Sequence, residues 1–130
     1  TDTRGFKLGV KGKIAAEEVK VAVYNNWSDF VFEKEYDLPT LTEVENHIIE
    51  KGHLKDIPSA KEVAENGIYL GEMDSKLLQK IEELMLYTIN QEKKIKSLEV
   101  QNKEIQLLKK ENKSLWNRLK KIEELLNKKD

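Results

Sequence analysis

Residues 74–130 contain neither glycine nor proline and are built largely from Leu, Ile, Glu, Lys, Gln and Asn. Nothing in such a stretch breaks the i to i−4 hydrogen-bond ladder, so it is predicted to be one helix, roughly 80 Å long at the standard rise. Its apolar residues recur in heptads: Leu77, Leu84, Gln91, Leu98 and Ile105 fall at d, and Ile81, Thr88, Ile95 and Asn102 at a. Beyond Ile105 the frame slips by three residues, so that Leu108, Leu115 and Ile122 take d while Asn112, Leu119 and Leu126 take a. An insertion of that kind locally overwinds a supercoil. The chain holds no second long helix to cover this seam, so copies of the chain are expected to cover one another in a parallel coiled coil. The expected assembly is a homotrimer, with a dimer as runner-up. Ile at a with Leu at d in the upper frame leans toward two strands, and Leu at a with Ile at d in the lower frame leans toward three or four.

The composition supports an elongated chain over a large single core. Of 130 residues, 38% are hydrophobic and 36% charged, a higher charged share than an ordinary globular domain carries. The 23 basic and 24 acidic residues leave a net charge of −1, which provides no one-signed field for nucleic acid or an anionic membrane. No apolar run approaches the roughly 18 residues of a membrane span, and none resembles a signal peptide. The absence of cysteine removes disulfides, thiolate metal sites and thiol nucleophiles. The chain opens on Thr1, Asp2 and Thr3 without Met and is read as a piece of something longer.

Two further zones precede the helix. Over residues 1–24, alternating apolar residues (Phe6, Leu8 and Val10, then Ile14 and Ala16, then Val19, Val21 and Val23) have strand spacing, with Gly9 and Gly12 marking a turn or bulge. Strands this few are not stable alone, so pairing with another chain or another zone is expected. Residues 25–73 carry both prolines and most of the aromatics. Within them, Thr40 with Glu43 and Ser59 with Glu62 form two capping boxes, each following a proline. The first opens a helix with Leu41, Val44 and Ile48 on one face, ending at Gly52; the second opens a shorter one ending at Gly67. These elements are expected to form a small collar. It is expected to dock on the top of the long helix, where Leu78, Met85 and Ile89 broaden the apolar face beyond the seam.

Catalytic chemistry finds little support. His47 and His53 are the only histidines and lack both the i,i+4 metal spacing and a triad partner. The acidic residues alternate with lysines as on a solvated helix face. Gly5, Gly9 and Gly12 do not lead from a strand into a helix as a phosphate loop does. Ser28 next to Asp29 offers a hydroxyl and a carboxylate but no base. Trp116 reads as a flank residue of the seam. No cofactor or metal is expected, and the chain is read as non-enzymatic.

Three stretches carry a resemblance: FKLGVKGKIAAEEVKV at residues 6–21, NWSDFVFEKEYDLPTLTEVENHIIEKGHLKDIPSAKEVAENGI, and LGEMDSKLLQKIEELMLYTI. Together they resemble the C-terminal region of tail-fibre-like surface proteins of Bacteroidota, over residues 6 to about 90. Lys55 stands where such sequences carry proline. The resemblance implies a β-rich shaft upstream, a secreted, cell-surface or phage-like setting, and no catalytic residue.

The expected architecture is therefore α+β and fibrous: β-strands ending a shaft (1–24), a collar with two short capped helices (25–73) and a coiled-coil helix (74–130). Its expected function is to register three chains so that the upstream shaft assembles. An alternative is a receptor- or glycan-binding tip in which Trp27, Phe30 and Tyr36 form the ligand surface. A second alternative is a C-terminal intramolecular chaperone, similar to the self-cleaving domains of phage endosialidases.

Overall fold

A computed structural model describes residues 5–22, 25 and 27–129. Three helices follow one another: α1 (Leu41–Lys51), α2 (Ala60–Asn66) and α3 (Leu70–Asn127). The chain divides into two compact units, Thr1–Gln79 and Lys80–Asp130.

The two short helices begin and end where their local chemistry dictates. Thr40 Oγ1 accepts the Glu43 N–H at 3.2 Å, while the Glu43 carboxylate accepts the Thr40 N–H at 2.7 Å. Ser59 and Glu62 repeat the arrangement at the same distances. Each box satisfies amide donors that a helix start leaves without an intrahelical partner. The carboxyls of Glu43 and Glu62 are held below the ordinary carboxylate range, first by the backbone N–H of Thr40 and Ser59 respectively, then by their hydroxyls. At the far end of α1, Gly52 adopts the left-handed conformation (φ 76°, ψ 8°) and donates its N–H to the Ile48 carbonyl. A side chain would strain there, and glycine closes the helix instead.

α3 starts at Leu70, four residues before the expected start at Asp74, because the Tyr69 carbonyl already accepts the Met73 N–H at 2.9 Å. Gly71 is thus inside the first turn, buried. The helix then runs 58 residues and is not interrupted at the expected three-residue slip.

The expected α+β class is overturned: no strand occurs among the described residues. Residues 5–22 run as irregular chain with bends at Lys7, Lys11, Gly12 and Glu17. Phe6, Leu8, Val10, Ile14, Val19 and Val21 are all exposed. An alternating pattern only determines which side chains share a face, whereas a strand also needs a ladder partner for its amides and carbonyls. Among the described residues nothing supplies that partner, and the little burial the segment gains does not offset the entropy of ordering it as a strand. Val23, at the end of the alternation, lies outside the described residues, as do residues 1–3, Tyr24 and Asp130.

The core of the first unit is small. Val31 is the only fully buried hydrophobic among the described residues, at 1% exposure. Around it the backbone folds through tight turns, Glu33 N–H to the Phe30 carbonyl and Tyr36 N–H to the Glu33 carbonyl, both 3.1 Å. The buried Ser28 donates its N–H to Ser75 Oγ at 2.7 Å, and Gln79 Nε2 donates to Tyr36 Oη at 3.2 Å. These two bonds tie the loop before α1 to the first three turns of α3.

Candidate functional site

The residues that sequence analysis assigned to an oligomer seam all lie on α3, and α3 gives them one arrangement. Spacings of three and four residues place Leu77, Ile81, Leu84, Thr88, Gln91, Ile95, Leu98, Asn102 and Ile105 along one stripe of the helix. Leu108, Asn112, Leu115, Leu119, Ile122 and Leu126 continue it with the frame shifted. Every Leu and Ile of this set is exposed, between 45% and 62%.

Burial along the same helix runs the other way for polar side chains. Ser75 and Glu83 are each only 5% exposed. Lys80 donates to both oxygens of the Glu83 carboxylate, at 3.1 and 3.0 Å, with the two side chains 12% and 6% exposed. Taking the heptad frame of Leu77 and Ile81, Ser75 is at b, Gln79 at f, Lys80 at g and Glu83 at c. Charged and polar groups are thus withdrawn from water while Leu77, Ile81 and Leu84 between them are left in it. Desolvating a charge is unfavourable and exposing a leucine forgoes roughly 1.5–3 kcal/mol, so this distribution is the reverse of what a solitary helix favours.

Of the expected docking strip, which also takes in Leu86, two of four members are exposed; Leu86 is half-buried. Leu78, at e, is half-buried, but Met85 and Ile89 are exposed. The bonds from Ser28 and Tyr36 reach α3 at Ser75 and Gln79, positions b and f of its first three turns. The covered face is therefore more polar than the strip that sequence analysis selected.

The four polar seam positions are not equivalent. Thr88 Oγ1 donates to the Leu84 carbonyl of its own helix at 2.8 Å. Its hydroxyl is satisfied locally, and the side chain can offer its methyl group to a neighbour. Gln91, Asn102 and Asn112 are the polar groups left for a register-setting layer.

The flanks of the seam carry charges that the seam analysis passed over. In a parallel, in-register coil, g of one chain meets e of its neighbour five residues on. Lys94 then meets Glu99, Glu104 meets Lys109, and Arg118 meets Glu123. No g-to-e pair between residues 80 and 130 brings two like charges together. The signal was available in the sequence as opposite charges at i and i+5.

The alternative ligand surface is divided by the structure. Phe30 and Tyr36 come together, ring centroids 5.7 Å apart and tilted by 42°. Tyr36 is half-buried and bound through its hydroxyl to Gln79, so it serves the fold. Trp27 is exposed in a separate shallow groove lined by Val19, Val21, Gly71 and Asp74. The three aromatics do not make one flat platform.

The histidines meet edge to face, with centroids 5.8 Å apart, across the Gly52 turn. His53 Nδ1 lies 3.0 Å from the Leu54 carbonyl. Among the described residues no group of three or more His, Cys, Asp or Glu could hold a metal ion. Ser28 is buried and Asp29 exposed. No described helix is long and apolar enough to cross a membrane.

No family model, curated protein or solved structure matches the chain.

Proposed function

We propose that this chain is a non-enzymatic self-association module in which α3 of three identical copies wind together in parallel and in register. The observation that carries this reading is the inverted burial on α3: Ser75, Lys80 and Glu83 withdrawn from water, Leu77, Ile81 and Leu84 exposed to it. An apolar stripe continuing to Leu126 is far longer than the scattered hydrophobics a monomer ordinarily exposes. Parallel orientation is supported by the three complementary flank pairs and by the polar layers. Superposing copies in register sets Gln91, Asn102 and Asn112 each against its own counterpart, while a slip by one heptad sets Gln91 against Leu84 or Leu98 and Asn112 against Ile105 or Leu119.

The number of copies rests on the lower frame, with Leu at a and Ile122 at d, and on the resemblance to fibre proteins. Within that resemblance, the module holds the N-terminal segments of its copies at roughly millimolar effective concentration and so promotes the assembly of whatever those segments form. A secreted, cell-surface or phage-like setting belongs to the same proposal.

Light scattering at micromolar concentration tests it. The expected mass is about three times the 15.1 kDa of one chain. A one-chain mass overturns self-association; a two-chain mass keeps the seam and removes the trimer.

A further inference from the structure

We propose that the outward face of α3 between residues 93 and 121 is a basic stripe that binds the phosphate backbone of double-stranded nucleic acid. In the heptad frames of the seam, positions b, c and f point away from a and d. Over this stretch they carry seven lysines, from Lys93 and Lys96 through Lys103, Lys110 and Lys113 to Lys120 and Lys121, and no acidic residue. The acidic residues of the same stretch stand beside the seam: Glu99 at e, Glu111 at g, and Glu104 at g in the frame that pairs it with Lys109. All seven lysines are exposed. Lys96 meets Glu92 at 3.0 Å, and the other six form no ion pair among the described residues.

The whole-chain charge conceals this stripe by cancellation. The unit Thr1–Gln79 holds 10 basic and 15 acidic residues, and the unit Lys80–Asp130 holds 13 and 9. The net −1 is therefore the sum of −5 and +4. At physiological salt a charged ligand senses what lies within about 8 Å, so it meets the local stripe and not the sum. Winding through a and d leaves b, c and f in water, so self-association multiplies the stripe without covering it.

The form of the stripe selects its ligand. At 1.5 Å per residue it runs about 42 Å, the length of about 12 base pairs. A duplex carries one negative charge per about 1.7 Å of its axis, so a phosphate lies near each lysine of a row laid along it. Lysine meets phosphate as a point charge and lacks the planar fork that reads base edges, so the binding is independent of sequence. A single strand calls for aromatic platforms between the cations, and the stripe has none, since Trp116 stands at e. A membrane surface calls for a broad apolar face beside the lysines, and on b, c and f only Val100 and Leu107 are apolar.

Fluorescence anisotropy of a labelled, mixed-sequence duplex of roughly 30 base pairs, titrated with the full chain, tests the proposal. With four phosphates neutralised, affinity should fall about 100-fold between about 50 and 200 mM salt. Lys103→Gln, Lys110→Gln, Lys113→Gln and Lys120→Gln combined should weaken binding at least about tenfold at the lower salt. Lys7→Gln, Lys11→Gln, Lys13→Gln and Lys20→Gln combined remove the same charge from the first unit and should leave binding unchanged. Absence of binding at the lower salt, or equal losses in the two variants, overturns the proposal. Tighter binding to vesicles of anionic lipid than to the duplex overturns it too. Light scattering on the same samples separates this proposal from the self-association reading. A one-chain mass with duplex binding intact fails only that reading, and a three-chain mass without duplex binding fails only this one.

Discussion

Residues 6–21 and the seam of α3 both carry clean apolar periodicity, and both leave their apolar side chains in solvent, yet only the second takes up regular structure. The difference lies in the backbone. A helix pairs each amide with a carbonyl four residues away, so α3 can close its ladder from Leu70 to Asn127 before any partner arrives. A strand has no such local solution, and residues 5–22 show only irregular chain with bends at Lys7, Lys11, Gly12 and Glu17 where alternation suggested pairing. Periodicity of either kind therefore reports which surface wants a partner. Only the helical kind also reports a conformation.

The largest effect expected from this contrast comes from charging each stripe. Leu98→Asp together with Leu115→Asp places carboxylates in two seam layers and should weaken association by at least about 100-fold, read by sedimentation. Leu8→Asp together with Ile14→Asp places the same charges on the alternating segment and should leave the sedimentation profile unchanged. Loss of association in the second pair would show that the N-terminal segment shares in holding the copies together.

A smaller effect tests the buried polar side of α3. Glu83→Ala removes the carboxylate that Lys80 meets at 3.0 Å and should lower the unfolding free energy, measured by denaturant titration. Lys80→Met combined with Glu83→Leu should recover most of that loss. If Glu83→Ala is neutral, the pair is more solvated than its geometry indicates.

The smallest effect concerns the caps. Thr40→Ala and Ser59→Ala should each destabilise its own helix by about 1 kcal/mol, seen as faster amide exchange confined to α1 or to α2. The same boxes give the collar an acid limit. Glu43 and Glu62 titrate lower in the folded chain than in the unfolded one, so their contribution is complete above the ordinary carboxylate range. It is lost as pH falls through their lowered values. Exchange in α1 and α2 should accelerate over that acidic window in the wild type, and less so in Glu43→Gln and Glu62→Gln.

Much of the helical plan could be read from residues alone. Thr40 with Glu43, Ser59 with Glu62, and the closing glycines Gly52 and Gly67 set both ends of α1 and α2, because each uses hydrogen bonds made within a few residues. The continuity of α3 was legible for the same reason, while its start at Leu70 was not, since it turns on a single bond from Met73 to Tyr69. The seam was legible as a pattern, and the candidate ligand surface only as a set of aromatics: burying Tyr36 against Phe30 and Gln79 is a choice among distant residues.

By itself, then, the sequence determined the helices, their caps and the stripe on α3 that one chain cannot cover, all of which follow from interactions closed over four residues or fewer. The tertiary structure alone decided that the loop before α1 fastens to Ser75 and Gln79, that Lys80 and Glu83 are the charges withdrawn from water, and that Met85 and Ile89 are not. It also decided that the alternating segment finds no ladder within the described chain. Those outcomes depend on which surfaces meet across tens of residues, and the free energy of such a meeting is a property of the pair, not of either stretch read alone.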